Sequence, residues 1–141
     1  MIKTKDWLPE EDYNFIFKRV PRACLDVMLV NSDLGTLLIK RDVTPHKGKW
    51  HMPGGQIRMN ESIDDAIRRI VRGEVGITVS PKDRCSVGYI EFFKERGWRH
   101  SISNIFLVPI GTNAGKKGAK FFKKIPNNTH PQHLKLLEGR L

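Results

Sequence analysis

The chain has 141 residues, with 39% hydrophobic, 28% charged and a net charge of +10 from 25 Lys and Arg against 15 Asp and Glu. These proportions are ordinary for one soluble globular domain, taken as residues 1–141, and leave room for a real core. No apolar run approaches the ~20 residues of a bilayer span, and MIKTKDWLPEED at the start has no apolar stretch of a secretory leader. Cys24 and Cys85 lack metal-ligand spacing and read as reduced core thiols, so the expected location is the cytoplasm. The positive field suits phosphorylated metabolites or polyanions, and equally a plain solvated basic surface.

In chain order, Pro9 and the acids Glu10, Glu11 and Asp12 mark a helix start. Tyr13, Ile16, Phe17 and Val20 follow at helical spacing, so a helix is predicted over about 9–20, stopped by Pro21. Cys24 to Val30 reads as a buried strand. Asn31, Ser32, Asp33 and Gly35 make a turn, and Thr36 to Arg41 is its hairpin partner. Residues 42–53 read as a loop. Ser62 to Glu74 is an amphipathic helix with Ile63, Ala66, Ile67, Ile70 and Val71 on one stripe and Gly76 as its stop. Ser86 to Phe93 and Ser101 to Ile110 are strands separated by a polar loop, Lys94 to His100. Ala119 to Ile125 is a short last strand. Thr129 to Glu138 closes the chain as a helix. This alternation predicts an α/β fold, a layered sandwich around a mixed sheet.

The most informative stretch is GGQIRMNESIDDAIRRIVRGEVGI, residues 54–77. Gly55, Glu61, Arg69, Glu74, Gly76 and Ile77 stand at fixed intervals, preceded by Gly48, Trp50, Pro53 and Gly54. This resembles the box of the Nudix hydrolases over residues 55–77. The resemblance implies an α/β/α sandwich and hydrolysis of a nucleoside diphosphate linked to another moiety, with Mg²⁺ or Mn²⁺. Glycines let a backbone carbonyl, that of Gly54, approach a metal. Positions 70 and 74 share a helix face, and oxygen ligands suit these cations. Glu74 is the carboxylate that remains there, because Ile70 and Gly73 replace the two other box glutamates. Gly55, Glu61 and Arg69 read as structural, with a Glu61–Arg69 pair fixing the loop and the helix start.

The same two losses occur in the GDP-mannose mannosyl hydrolases. This chain is similar to them also at Leu25-Asp26-Val27, at Lys40-Arg41 and at Gly48 to Gly55. That resemblance implies water attack on the anomeric carbon of a nucleoside diphosphate sugar, GDP-mannose or GDP-glucose, with GDP leaving. Asp26 would hold sugar hydroxyls, and Arg41 would stabilise the departing diphosphate through its bidentate fork. Gln56 stands where that branch has Arg, and is taken as a substrate contact. The branch's base, a His, falls by ungapped pairing at Asn104, so His100, four residues earlier, is the candidate base. His46, His51, His130 and His133 are weaker cases. The branch is dimeric, and Trp7, Leu8, Tyr13, Phe15, Ile16 and Phe17 offer more apolar surface than one helix face hides. A homodimer is therefore expected. Two other functions compete: a pyrophosphatase cleaving ADP-ribose or a nucleotide at phosphorus, and a non-catalytic domain binding nucleotide or RNA. The second is compatible with Lys116, Lys117, Lys120, Lys123 and Lys124 but is not favoured.

Overall fold

The computed structural model describes residues 7–42 and 46–140, with the backbone alone at Arg140. The first six residues, and 43–45 of the loop predicted at 42–53, lie outside the described residues. Helix α1 spans Glu10–Phe17, shorter than the predicted 9–20. The reason is Pro21, which disfavours helical backbone at Val20 and lets the chain unwind through a turn. Tyr13 turns inward, packs on Phe17 and lies edge-on to Trp98. Phe15, Ile16 and Val20 stay exposed.

Strand β1 (Arg22–Asn31) organises the sheet. Along its whole length it pairs in parallel with β6 (Arg99–Pro109). On its other side it changes partner. Its first half pairs with β4 (Gly54–Gln56), matching Asp26 to Gly54, and its second half pairs with β2 (Gly35–Lys40), matching Leu29 to Leu37. Beyond β2 lie β3 (Trp50–His51) and β7 (Ala119–Phe122), and β5 (Cys85–Glu95) edges β6. The seven-stranded mixed sheet confirms the predicted α/β sandwich.

Successive β1 side chains point to opposite faces. Leu25, Val27 and Leu29 meet Ile67 and Val71 of helix α2 (Ile63–Glu74), whereas Met28 meets Leu137 of helix α3 (Pro131–Arg140) in a second core. Each such burial contributes roughly 1.5–3 kcal/mol. Helix α2 starts at Ser62, whose Oγ accepts from the Asp65 N–H at 3.1 Å, and ends at Gly76, whose N–H donates to Val71 O at 3.2 Å.

Three expectations change. The predicted loop Lys94 to His100 is mostly strand, because β5 and β6 run on to Glu95 and Arg99. Arg22 and Arg99 each approach Glu95 Oε1 at 3.5 Å, so charged residues that read as loop are paired strand ends. The loop at 42–53 contains β3, too short to carry a periodic signal. Cys24 is buried, its thiol pushed up to about 11 chiefly by that burial, but Cys85 is exposed at the start of the edge strand β5.

Candidate active site

The place where β1 changes partner opens a cleft of about 1000 Å³. Asp26, Arg41, Gly54, Gly55, Gln56 and Glu74 all line it. This is within the size range of small-molecule and cofactor sites.

The loop before α2 is fixed by its own ion pair. Arg69 donates from Nε to Glu61 Oε2 at 2.7 Å, and from Nη2 to Glu61 Oε1 and to Gln56 O, both at 2.8 Å. The Arg58 N–H donates to Glu61 Oε1 at 3.0 Å. This latch ties the end of β4 to the helix. The Arg69 hydrogen bond, first among its causes, holds the Glu61 carboxyl below its usual range.

At the other end of α2, Glu74 is buried and accepts a hydrogen bond from the Gly54 backbone. Burial, above all, pushes its carboxyl up to about 7, and the nearby Asp26 adds to the rise. Asp26 is likewise raised to about 7, chiefly by burial, although the Ser103 hydroxyl donates to its Oδ2 at 2.5 Å. Gly54 lies between these two carboxylates. A β-carbon there would collide with Asp26 Oδ1, so no other residue fits without displacing that carboxylate. Ile70 is buried, its Cδ1 3.4 Å from where a Gly55 β-carbon would stand. It therefore walls the cleft and also belongs to the α2 core. Gly73 is exposed.

Across the cleft, α3 brings His133 within 3.9 Å of Asp26, from Nε2 to Oδ1. Its Nδ1 accepts the Met52 N–H at 3.0 Å. That bond fixes the tautomer: the neutral ring carries its proton on Nε2, facing Asp26. Burial, then neighbouring histidines, hold His133 well below its ordinary value, so the contact with Asp26 is not an ion pair. The gap is too long for a direct hydrogen bond and suits an intervening oxygen. His130 packs on both His46 and His133, with ring centres 4.5 and 4.8 Å apart, and all three rings border the cleft.

His100 does not join this group. It lies in β6 rather than in a loop, and strand alternation sends Ser101 and Ser103 into the cleft and His100 to the opposite face. It stacks on Phe93, a residue of the cleft lining, with ring centres 4.7 Å apart. Asn104 shares that outward parity. Ser103 and His133 are the cleft residues that the sequence reading missed or underrated. The signal for Ser103 was its place on the apolar face of a strand. His133 had none, since only tertiary packing brings α3 against Met52.

Among the described residues no cluster of three or more His, Cys, Asp or Glu forms a metal cage. One buried carboxylate beside a glycine backbone is nonetheless the kind of donor set that suits Mg²⁺ arriving with substrate phosphates and water. Glu74, buried and among the described residues hydrogen-bonded by no cationic side chain, fits that role.

This fold and loop–helix unit define a class. The NUDIX domain model matches residues 20–121, and the chain belongs to the Nudix family. It is 31% identical over 86 residues to the low-salt glycan biosynthesis protein Agl8 of Haloferax volcanii, covering 61% of this chain and 53% of that protein. It is 30% identical over 82 residues to an ADP-ribose pyrophosphatase of Methanocaldococcus jannaschii, covering 58% and 47%. The chain thus spans about half the length of these relatives. A MutT Nudix hydrolase from Burkholderia pseudomallei has the same fold, with TM-score 0.72, 22% identity and coverage of 85% of this chain and 98% of that one. Among the described residues, no helix is long and apolar enough to cross a membrane.

Proposed function

We propose that the protein is a Mg²⁺- or Mn²⁺-dependent hydrolase of a nucleoside diphosphate sugar, GDP-mannose or GDP-glucose, releasing GDP and free sugar. The observation that carries this reading is Ile70, a buried apolar side chain on Gly55 where the box has a carboxylate. Helix α2 then offers Glu74 alone, and the second carboxylate, Asp26, stands across Gly54. Glu74 and the Gly54 backbone would hold the cation. When bound, it neutralises diphosphate charge and stabilises the leaving oxygen. Arg41, on the same cleft wall, supports the diphosphate with its permanent charge. Asp26 and the His133 N–H grip an oxygen between them, a sugar hydroxyl or the attacking water. A carboxylate raised toward neutrality is suited to take that water's proton.

Hydrolysis in ¹⁸O-labelled water tests the reading: the label is expected in the sugar and not in the nucleotide. Label in phosphate, with nucleoside monophosphate as product, would instead establish a pyrophosphatase. The 30% identity to an ADP-ribose pyrophosphatase favours that second reading. A cytoplasmic homodimer belongs to the proposal. It is supported by the exposed Phe15 and Ile16 of α1, and light scattering giving the 16.2 kDa of one chain at micromolar concentration would refute it.

A further inference from the structure

The cleft extends well past the carboxylates, to a wall whose chemistry differs. There the lining comes from Trp7, Tyr13 and the tip of the β5–β6 hairpin, with Arg96, Trp98 and Arg99. The hairpin closes through Trp98 N–H donating to Glu95 O at 3.2 Å, with Arg96 at φ 53° and Gly97 at φ 84° between them. Both values lie in the left-handed region, which favours Gly, Asn or Asp. Arg96 therefore holds a left-handed backbone that its side chain does nothing to ease. That side chain borders the cleft and makes no hydrogen bond or ion pair among the described residues.

The aromatic partner is held in place. Tyr13 meets Trp98 edge-on with ring centres 6.5 Å apart, and its hydroxyl accepts from Arg22 and Arg99, both at 3.0 Å. Lys18 Nζ sits 5.6 Å from the Trp98 ring centre. In the same cleft, Gln56 Oε1 is buried without a hydrogen-bond partner, and Arg99 Nε has only its 3.5 Å ion pair with Glu95. Unsatisfied groups of this kind are uncommon, and a ligand that draws them out relieves the cost. A ring face, an unpaired guanidinium and an unsatisfied amide together suit a flat heteroaromatic ring with acceptors on its edge.

We propose that the cleft beneath the β5–β6 hairpin tip is a nucleobase site, with the base stacked on Trp98 and its acceptor edge turned to Arg96. This rests on the reading of the protein as a nucleoside diphosphate hydrolase and names the half of the substrate that reading leaves unplaced. Guanidinium forks pair best with the adjacent acceptors of guanine, so GDP is expected to bind more tightly than ADP or UDP.

The test compares GDP with inorganic pyrophosphate as Mg²⁺-dependent inhibitors and ligands. Arg96→Asn suits the turn better than arginine does, so its melting temperature is expected to equal or exceed that of the wild type. Its GDP affinity is expected to fall ~10-fold, with pyrophosphate unaffected. Trp98→Ala is expected to weaken GDP ~10-fold or more, and Trp98→Phe to restore most of the loss, as for base–aromatic stacking. Variants that bind GDP like the wild type, or that lose GDP and pyrophosphate equally, overturn the base site. Wild-type protein that binds pyrophosphate as tightly as GDP also overturns it but leaves the diphosphate site standing. Failure to bind either ligand removes both readings.

Discussion

Glu61 and Glu74 belong to the same loop-and-helix unit, and their surroundings differ in kind. Glu61 receives two hydrogen bonds from Arg69 and one from the Arg58 backbone, and its carboxyl is held low. Glu74 has a backbone bond from Gly54, faces Asp26 and is pushed up to about 7 by burial. The first carboxylate finds its counter-charge within the chain. Among the described residues no cationic side chain hydrogen-bonds the second, and Lys116 only favours its charge from nearby, leaving room for a cation from outside. Residue type says nothing of this difference; the partner decides which glutamate is architecture and which is chemistry.

Glu74→Gln separates the two most sharply. Turnover of the nucleotide sugar with Mg²⁺ is expected to fall ~10²-fold or more, from loss of charge at the metal position. Steady-state kinetics check this. Melting at pH 8 without metal should show no loss of stability, and a clear loss would mean that Glu74 has a partner inside the chain after all. Arg69→Ala makes the opposite cut. It strands a partly buried carboxylate and frees the end of β4, so urea unfolding should show a loss of about 2–4 kcal/mol.

The pH dependence sharpens the comparison further. A carboxyl whose folded value is about 7 keeps its proton in the folded protein after the unfolded chain, at 4.5, has released it. Its ionisation therefore opposes folding, and this group's effect on stability worsens as pH rises from about 4.5 to 7. Glu74→Gln should match the wild type at pH 4.5 and exceed it by on the order of 2–3 kcal/mol at pH 8. Added Mg²⁺ should raise the wild-type melting temperature at pH 8 and leave the variant's unchanged. Constant offset between the two proteins across pH would count against a raised Glu74. The smallest effect belongs to His100→Gln. His100 itself does not line the cleft, so turnover should stay within about twofold, whereas His133→Gln should lower it more.

The helix and the latch were legible in the sequence because local spacing governs both. A 3.6-residue stripe places Ile67 and Val71, and an eight-residue interval places Arg69 over Glu61. The hairpin tip was misread because Lys94, Glu95, Arg96 and Arg99 are polar, and polarity marks a loop only where the charges lack strand partners. His100 was misplaced for the same reason: a residue inside a strand has its direction set by parity, which a supposed loop hides. Asp26 could be singled out, but not its environment. Ser103, 77 residues away, and His133 on α3 reach it through the tertiary fold alone.

That 77-residue reach also governs how the protein comes into being. The parallel registry of β1 with β6 joins Arg22 to Ser101, so the central pair of the sheet must close a very long loop before it gains any contact. Helix α2 can form early from its own neighbours. The Asp26–Ser103 bond cannot, because it belongs to one of the long-range pairings of the sheet. In refolding experiments, helical signal should return before enzymatic competence, and competence should appear in the same kinetic phase as the central strands.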